Sequence, residues 1–226
     1  MDLPLAFSHL KGGFKSRGFS YLLEAVFDRI PHELFYFDHY LMMVADTCHV
    51  PVRYYAGYQV RMLTPEDLSK ISGFTFSTEL AQRELRDGSV CVVVLKDDKA
   101  VSWRWGATGD LYVQYCNTVV HTGDDGYYTY RLETIPEERF KGHVNACLKI
   151  MHDYFRPLNR TQNYTLISTR SASNLKLHER CGFKTTGDIF VLTILGLRFC
   201  FYRKWPFHGK RFTLTVRIPP EGTRQV

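Results

Sequence analysis

The sequence predicts an α/β fold, one alternating core with an accessory amino-terminal segment. Three observations carry this. From about residue 58 onward, runs of period-two alternation give way to runs of helical spacing, with Gly, Pro and Asp at the joins. The chain of 226 residues is 45% apolar and 23% charged, the balance of a globular protein and not of a disordered one. Its 14 Tyr, 16 Phe and 3 Trp can fill a substantial core or line a pocket.

Residues 1–56 read as a helical amino-terminal extension and 57–226 as the main domain. A Gly-rich, basic start (Lys11, Gly12, Gly13, Lys15, Arg17, Gly18) leads into Leu22, Leu23, Val26, Phe27 and Ile30, the spacing of an amphipathic helix. Pro31 and the aromatic run Leu34 to Phe37 follow, then Leu41, Met42 and Val44 ahead of Pro51. Helices over residues 20–45 are expected to pack on the core, because Phe35, Tyr36, Phe37 and Tyr40 form too large an apolar surface to stay in water. The same surface suits a homodimer.

In the main domain, Tyr58 to Leu63 predicts a strand. Thr64-Pro65-Glu66-Asp67 is a helix start, with Thr as N-cap and Pro in the first turn, and Gly73 closes that short helix. Glu79 to Arg86 forms another, ended by Gly88. Val90 to Leu95, a turn at Asp97-Asp98 and Ala100 to Trp105 make a β-hairpin. Leu111 to Val120 is a further strand or an excursion at a sheet edge. Tyr128, Tyr130 and Leu132 alternate with polar residues in a strand that Pro136 stops. The charged loop Glu137 to Gly142 then enters an amphipathic helix on Val144, Cys147, Leu148, Met151 and Phe155, broken by Pro157. Tyr164 to Thr169 is a strand. A short helix capped by Ser171 or Ser173 ends in Gly182, with Phe183 as the hydrophobic clasp of a Gly C-cap. Ile189 to Lys204 and Phe212 to Ile218 supply more strands.

The charge balance of 29 basic to 23 acidic residues, +6, favours anionic partners such as nucleotides, phosphates or an acidic carrier protein. The six cysteines are too widely spaced for zinc knuckles or redox pairs, so free thiols in a reducing compartment are expected and no metal is proposed. The apolar stretch Ile189 to Tyr202 contains Arg198 and is too short to span a bilayer. The amino terminus lacks a secretory pattern, so the expected location is cytoplasmic.

A strand, a short basic loop with Gly and then a helix is a physical design for holding phosphate. The helix start offers unpaired N–H groups and partial positive charge, and Gly admits an anion to the backbone. Arg139 and Lys141 add full charges. The same pattern also describes a solvated strand-to-helix turn.

Pro136-Glu137-Glu138-Arg139-Phe140-Lys141-Gly142-His143 resembles the acyl-CoA pyrophosphate loop of the GNAT (GCN-five-related) N-acyltransferase superfamily, Arg or Gln, two residues, Gly, one residue, then Gly or Ala. Arg139 and Gly142 match, and Val144 stands where the small residue is usual. Downstream, Leu177-His178-Glu179-Arg180-Cys181-Gly182-Phe183 resembles the family's Leu-Tyr-Glu-Lys-Leu-Gly-Phe signature, with His178 at the Tyr position. Ser171 replaces the Asn that commonly opens this helix, and Asn174 is close by. The order of elements over about residues 58–200 agrees.

The resemblance implies a central mixed, mostly antiparallel sheet flanked by helices, and transfer of an acyl group from acetyl-CoA or another acyl-CoA to a small-molecule amine in a ternary complex. It implies cofactor contacts at Leu132, Thr134, Arg139, Phe140, Lys141, Gly142, His143, Val144, Ser171 and Asn174. Backbone N–H groups around Leu132 to Thr134 would receive the thioester carbonyl. Glu133 is placed either as the base for the amine or as an ion-pair partner of Arg131. His178 is placed either as the proton donor to the departing thiolate or as a capped surface histidine. Tyr128 and Tyr130 line the acceptor pocket or belong to the core. Arg170 reaches phosphate or is solvated. An acyl carrier protein is the competing acyl source within the superfamily. A non-catalytic binding module is the third alternative, suggested by Arg203, Lys204, Lys210, Arg211 and Arg217 interleaved with Trp205, Phe207 and Phe212. That composition also fits a solvated edge strand, and nucleic acid is not the expected partner.

Overall fold

A computed structural model describes residues 35–46, 56–68, 72–116, 118–195, 197–204, 213–215 and 224–225. In chain order these form β1 (Phe35–Ala45), β2 (Tyr58–Met62), α1 (Thr78–Arg86), β3 (Val90–Lys96), β4 (Lys99–Ala107), β5 (Asp110–Val113) and β6 (Thr118–His121). There follow β7 (Gly126–Thr134), α2 (His143–Phe155), β8 (Gln162–Ser168), α3 (Ala172–Arg180), β9 (Lys184–Ile194), β10 (Leu197–Lys204), β11 (Thr213–Thr215) and β12 (Arg224–Gln225).

The main sheet has the order β10-β9-β1-β8-β7-β4-β3-β2. Each neighbouring pair in it is antiparallel except β7 with β8. A parallel pair needs a long crossover, and α2 supplies it. A smaller sheet, β11-β6-β5-β12, accompanies it. The hairpin of β3 and β4 turns on Asp97 and Asp98, both left-handed, as a two-residue hairpin loop requires. Ser77 caps α1, its hydroxyl accepting from the Leu80 N–H at 3.2 Å. At the end of α3, Gly182 is left-handed and Phe183 N–H bonds His178 C=O at 3.0 Å, the Gly C-cap that the sequence implies.

Apolar side chains fill both faces of the sheet. On one face Trp103, Trp105, Tyr128 and Tyr130 pack with Ala81 of α1 and with Leu111 and Val113 of β5. On the other, Cys147, Met151 and Phe155 of α2 cover Val92, Val94 and Tyr127, while Leu148 and Cys181 meet Met43, Ile167 and Phe183.

Two expectations are corrected. Residues 35–45 are not helical. They are β1, which lies inside the sheet between β8 and β9. Its side chains alternate, Tyr36, Tyr40 and Met42 joining the first face and Leu41, Met43 and Ala45 the second. A strand covered on both faces is apolar at nearly every position, so its period of two is erased and it reads like a buried helix. The helix expected over residues 20–30 lies outside the described residues. The other correction is at Pro65, where the described structure is a single 3₁₀ turn, Pro65–Asp67. There Asp67 accepts from Thr64 N–H at 2.9 Å and from the Arg61 guanidinium at 2.8 Å. The Leu111 to Val120 segment resolves into β5, a 3₁₀ turn at Gln114–Cys116 and β6.

Candidate functional site

β7 and β8 pair only at Gly126 with Gln162, Tyr127 with Asn163 and Tyr128 with Tyr164. Beyond that point the parallel strands part. Threonine hydroxyls hold the fork: Thr129 donates to Asn163 Oδ1 at 2.8 Å, and Thr165 donates to Thr129 C=O at 3.0 Å. On its other edge β7 carries a bulge against β4, between Trp103 and Trp105, and Arg131 there is left-handed, with φ 44°. Such a conformation costs a residue with a Cβ about 1–2 kcal/mol. It is held by the buried Glu84 of α1, which accepts from Arg131 at 2.9 Å and from the Tyr130 hydroxyl at 2.8 Å.

A cavity of about 540 Å³ opens in the fork, lined among others by Arg104, Tyr115, Tyr128, Leu132, Asn174 and His178. The structure thus brings Leu132 of β7 together with Asn174 and His178 of α3. Asn174 Oδ1 is a buried acceptor that no donor among the described residues reaches. Tyr128 does both of the things left open for it: it lines the cavity and packs in the core, its hydroxyl 3.2 Å from that of Tyr115. Tyr130 does the same.

The surface position weighed for His178 is corrected. Its ring is buried, not at the surface. Nδ1 lies 2.8 Å from Asn174 C=O and must donate; Nε2 lies 3.1 Å from the Arg104 guanidinium, a pure donor, and must accept. Burial, and next the charge of Arg104, push the imidazole down to about 3. His178 is therefore neutral in this arrangement, with its one N–H on a carbonyl.

Glu133 is exposed and lies outside the cavity lining, its carboxylate accepting from the Thr75 hydroxyl at 2.7 Å. The ion pair with Arg131 does not form, since Arg131 turns to Glu84. Thr134 also stands apart from the lining; its hydroxyl is 2.8 Å from that of Ser102, and its carbonyl accepts from Arg139 Nε at 3.3 Å.

From β7 the chain passes through a 3₁₀ turn, Pro136–Glu138, into α2. Phe140 and Gly142 are both left-handed, at φ 65° and 76°, and Phe140 is fully exposed. Gly142 is the N-cap residue of α2, and a Cβ built there would meet nothing within 4 Å. Gly142 C=O accepts from the Asn145 and Ala146 N–H groups at 3.1 and 3.3 Å, while helix geometry leaves the His143 and Val144 N–H groups without intrahelical partners. Lys141 is less available than the sequence suggests. It donates to the buried Glu138 at 2.9 Å, beside Tyr58 at 2.7 Å, Lys96 at 3.2 Å and His143 at 3.3 Å. The Lys141 bond first, with the Tyr58 bond next, holds the Glu138 carboxyl well below the usual carboxylate range. His143 is buried against the Tyr58 ring and Val144 packs toward α3, so these two offer backbone rather than side chain to a ligand. Ser171 is the N-cap of α3 by position, and its side chain makes no cap bond.

Sequence reasoning missed Arg104, Tyr115 and Glu84. Arg104 had a signal, a charge between two tryptophans in an otherwise apolar strand. Arg170 is partly buried: it donates to Phe37 C=O at 2.5 Å and lies 3.6 Å from Asp38. Arg203 pairs with Asp188 at 2.7 Å, and much of the basic tail lies outside the described residues. Among the described residues no cluster of three or more His, Cys, Asp or Glu can hold a metal, and no helix is long and apolar enough to cross a membrane.

Two pH windows follow. A lowered imidazole adds stability that is fully present above its ordinary value of 6.5 and is lost as pH falls toward about 3. Glu138, a lowered carboxyl, adds stability that is present above its ordinary value of 4.5 and is lost only below it. The thermal midpoint is therefore expected to begin falling below pH 6.5. In His178→Gln the decline between about pH 6.5 and pH 4.5 should shrink, as scanning calorimetry would show; an unchanged decline would place that titration elsewhere.

No family model matches the chain, and no curated protein matches it. Solved structures do. A GCN5-related N-acetyltransferase-like protein from Streptococcus suis superposes with TM-score 0.49 at 12% identity, over 78% of this chain and 67% of that one. A GCN5-related N-acetyltransferase from Kribbella flavida gives 0.47 at 13% identity, over 78% and 63%. A Drosophila protein gives 0.48 at 14% identity, over 81% and 58%, so this chain spans about three fifths of that protein's length.

Proposed function

We propose that this protein is a GNAT-type N-acyltransferase that takes an acyl group from a coenzyme A thioester, acetyl-CoA first, and places it on a small-molecule amine. The observation that carries the proposal is the fork of β7 and β8. A parallel pair parts after Tyr128, a cavity opens between the strands, and the same β7 runs on into a left-handed loop and the start of α2.

The residues fit such a donor. The open N-terminus of α2, with Arg139 beside it, suits a pyrophosphate, because N–H groups and the helix dipole favour negative charge there. The parted edge of β7 at Leu132 offers backbone to the thioester carbonyl, and Asn174 Oδ1 offers an acceptor deeper in the cavity. When bound, the thioester supplies an activated carbonyl carbon. The amine lone pair forms the new C–N bond, the C–S bond breaks with its electrons on sulfur, one proton leaves nitrogen and one reaches the thiolate, giving an amide and a free thiol. Glu133 takes the amine proton. With His178 engaged on both ring nitrogens, the hydroxyl pair of Tyr115 and Tyr128 provides the proton for sulfur.

The test is native mass spectrometry of the purified protein followed by calorimetric titration with coenzyme A. Retained or titratable coenzyme A supports the assignment. Tight binding of an acyl carrier protein with no coenzyme A binding would move the donor to the carrier, and binding of neither would overturn it.

A further inference from the structure

The loop between β7 and α2 carries a side chain that folding does not use. Phe140 is 100% exposed, whereas Leu195, the next most exposed large apolar side chain among the described residues, is at 74%. The backbone of Phe140 is left-handed as well, at φ 65°. An aromatic residue in that region is an outlier, because its Cβ crowds the backbone, and Gly or Asn would fit there with less strain. Phe140 thus leaves apolar surface in water and strains the chain, and no covering side chain among the described residues offsets either.

The residues on either side of it brace the loop. Arg139 Nε reaches back to Thr134 C=O at 3.3 Å, and Lys141 donates to Glu138 at 2.9 Å. Glu138 in turn accepts from Tyr58 of β2 at 2.7 Å and Lys96 of β3 at 3.2 Å, so the ring projects from a support tied to the sheet. Gly142, the N-cap of α2, is two residues further on. Two residues span at most about 7 Å, so the ring stands within a side chain's reach of a group bound at the helix start. With the pantetheine arm in the fork and the pyrophosphate at α2, the adenosine of coenzyme A is the part left on the solvent side of the loop. An aromatic face held in water beside a phosphate site suits a flat base, because every base has a π-face and stacking needs no hydrogen-bond partner.

We propose that the Phe140 side chain is a stacking platform for the adenine base of the coenzyme. This rests on the acyltransferase assignment and adds to it that the donor is recognised at its nucleotide end. The protein then discriminates against the same pantetheine arm carried without adenosine, as on a carrier protein.

Three ligands titrated calorimetrically into the full chain separate the outcomes. They are coenzyme A, 4′-phosphopantetheine, which is the arm without the nucleoside, and adenosine 3′,5′-bisphosphate, which is the nucleotide end alone. Wild type is expected to bind coenzyme A more tightly than 4′-phosphopantetheine. Phe140→Ala keeps the Cβ and with it the backbone strain. It should weaken coenzyme A and the bisphosphate by the same factor, roughly tenfold or more, and leave 4′-phosphopantetheine unchanged. Phe140→Trp should keep the coenzyme A affinity, and its added indole emission, read against wild type, should be quenched by coenzyme A and by the bisphosphate. Equal coenzyme A affinities in wild type and Phe140→Ala, or an equal loss for coenzyme A and 4′-phosphopantetheine, would overturn the platform and leave the acyltransferase standing. Phe140-dependent binding of coenzyme A and the bisphosphate with equal affinity would mean that the arm adds nothing, which removes the acyltransferase assignment and leaves the platform as a nucleotide site. Binding of none of the three would overturn both.

Discussion

Glu133→Gln is expected to slow acyl transfer by roughly 10²-fold, the scale on which loss of a general base is felt. Glu133 is exposed at the end of the parted strand, and the Thr75 hydroxyl holds its carboxylate at 2.7 Å. Glutamine keeps the shape and still accepts that bond, so the change removes basicity and little else. Coenzyme A affinity should be unaltered, because Glu133 lies neither in the loop nor on the cavity wall. Raising the pH should restore part of the rate as more of the acceptor amine becomes neutral in solution. A pH–rate profile at saturating acyl donor checks this. Wild-type rates across the profile would remove Glu133 from proton transfer and leave water as the base.

The next largest effect is expected at the loop. Gly142→Glu should weaken coenzyme A binding by at least tenfold, about 1.4 kcal/mol. Two effects act together there. Any side chain at φ 76° is strained, and a carboxylate at the start of α2 meets the pyrophosphate with like charge. Gly142→Ala separates them. Its Cβ meets nothing within 4 Å, so it carries the strain without the charge and should weaken binding much less. Calorimetric titration of coenzyme A into both folded variants reads the difference. Equal affinities for wild type and Gly142→Glu would mean that the pyrophosphate is held elsewhere.

The two variants probe residues of different legibility. Gly142 could be found from the sequence because its signal is local: a strand ended by Pro136, a basic loop and a helix of clear period. Glu133 could be placed on its strand for the same reason. Its partner could not, because Thr75 is distant in sequence and meets Glu133 only in the folded chain. The error at His178 has the same origin. A histidine at a helical position two turns from Ser171 looks solvent-facing when only its own helix is considered, and the burial and the Arg104 charge that keep it neutral come from segments far upstream.

Residues 35–45 mark the limit from another direction. Their composition is as apolar as that of a buried helix, and no pattern along the chain distinguishes the two. What makes them a strand is the pair of open edges on β8 and β9, whose backbone groups must be satisfied once they are buried.

By itself the sequence determined the hairpin of β3 and β4, the loop into α2 and the glycine cap after α3. Each of these depends on neighbours within a few residues, where propensity, capping and turn chemistry act. Only the tertiary structure decided that β1 belongs to the sheet, that β7 and β8 part after Tyr128, that Lys141 is engaged by Glu138, and that Arg104 faces a cavity. These depend on distant segments brought within a few ångströms, and in that setting burial and the satisfaction of backbone and charge override local preference.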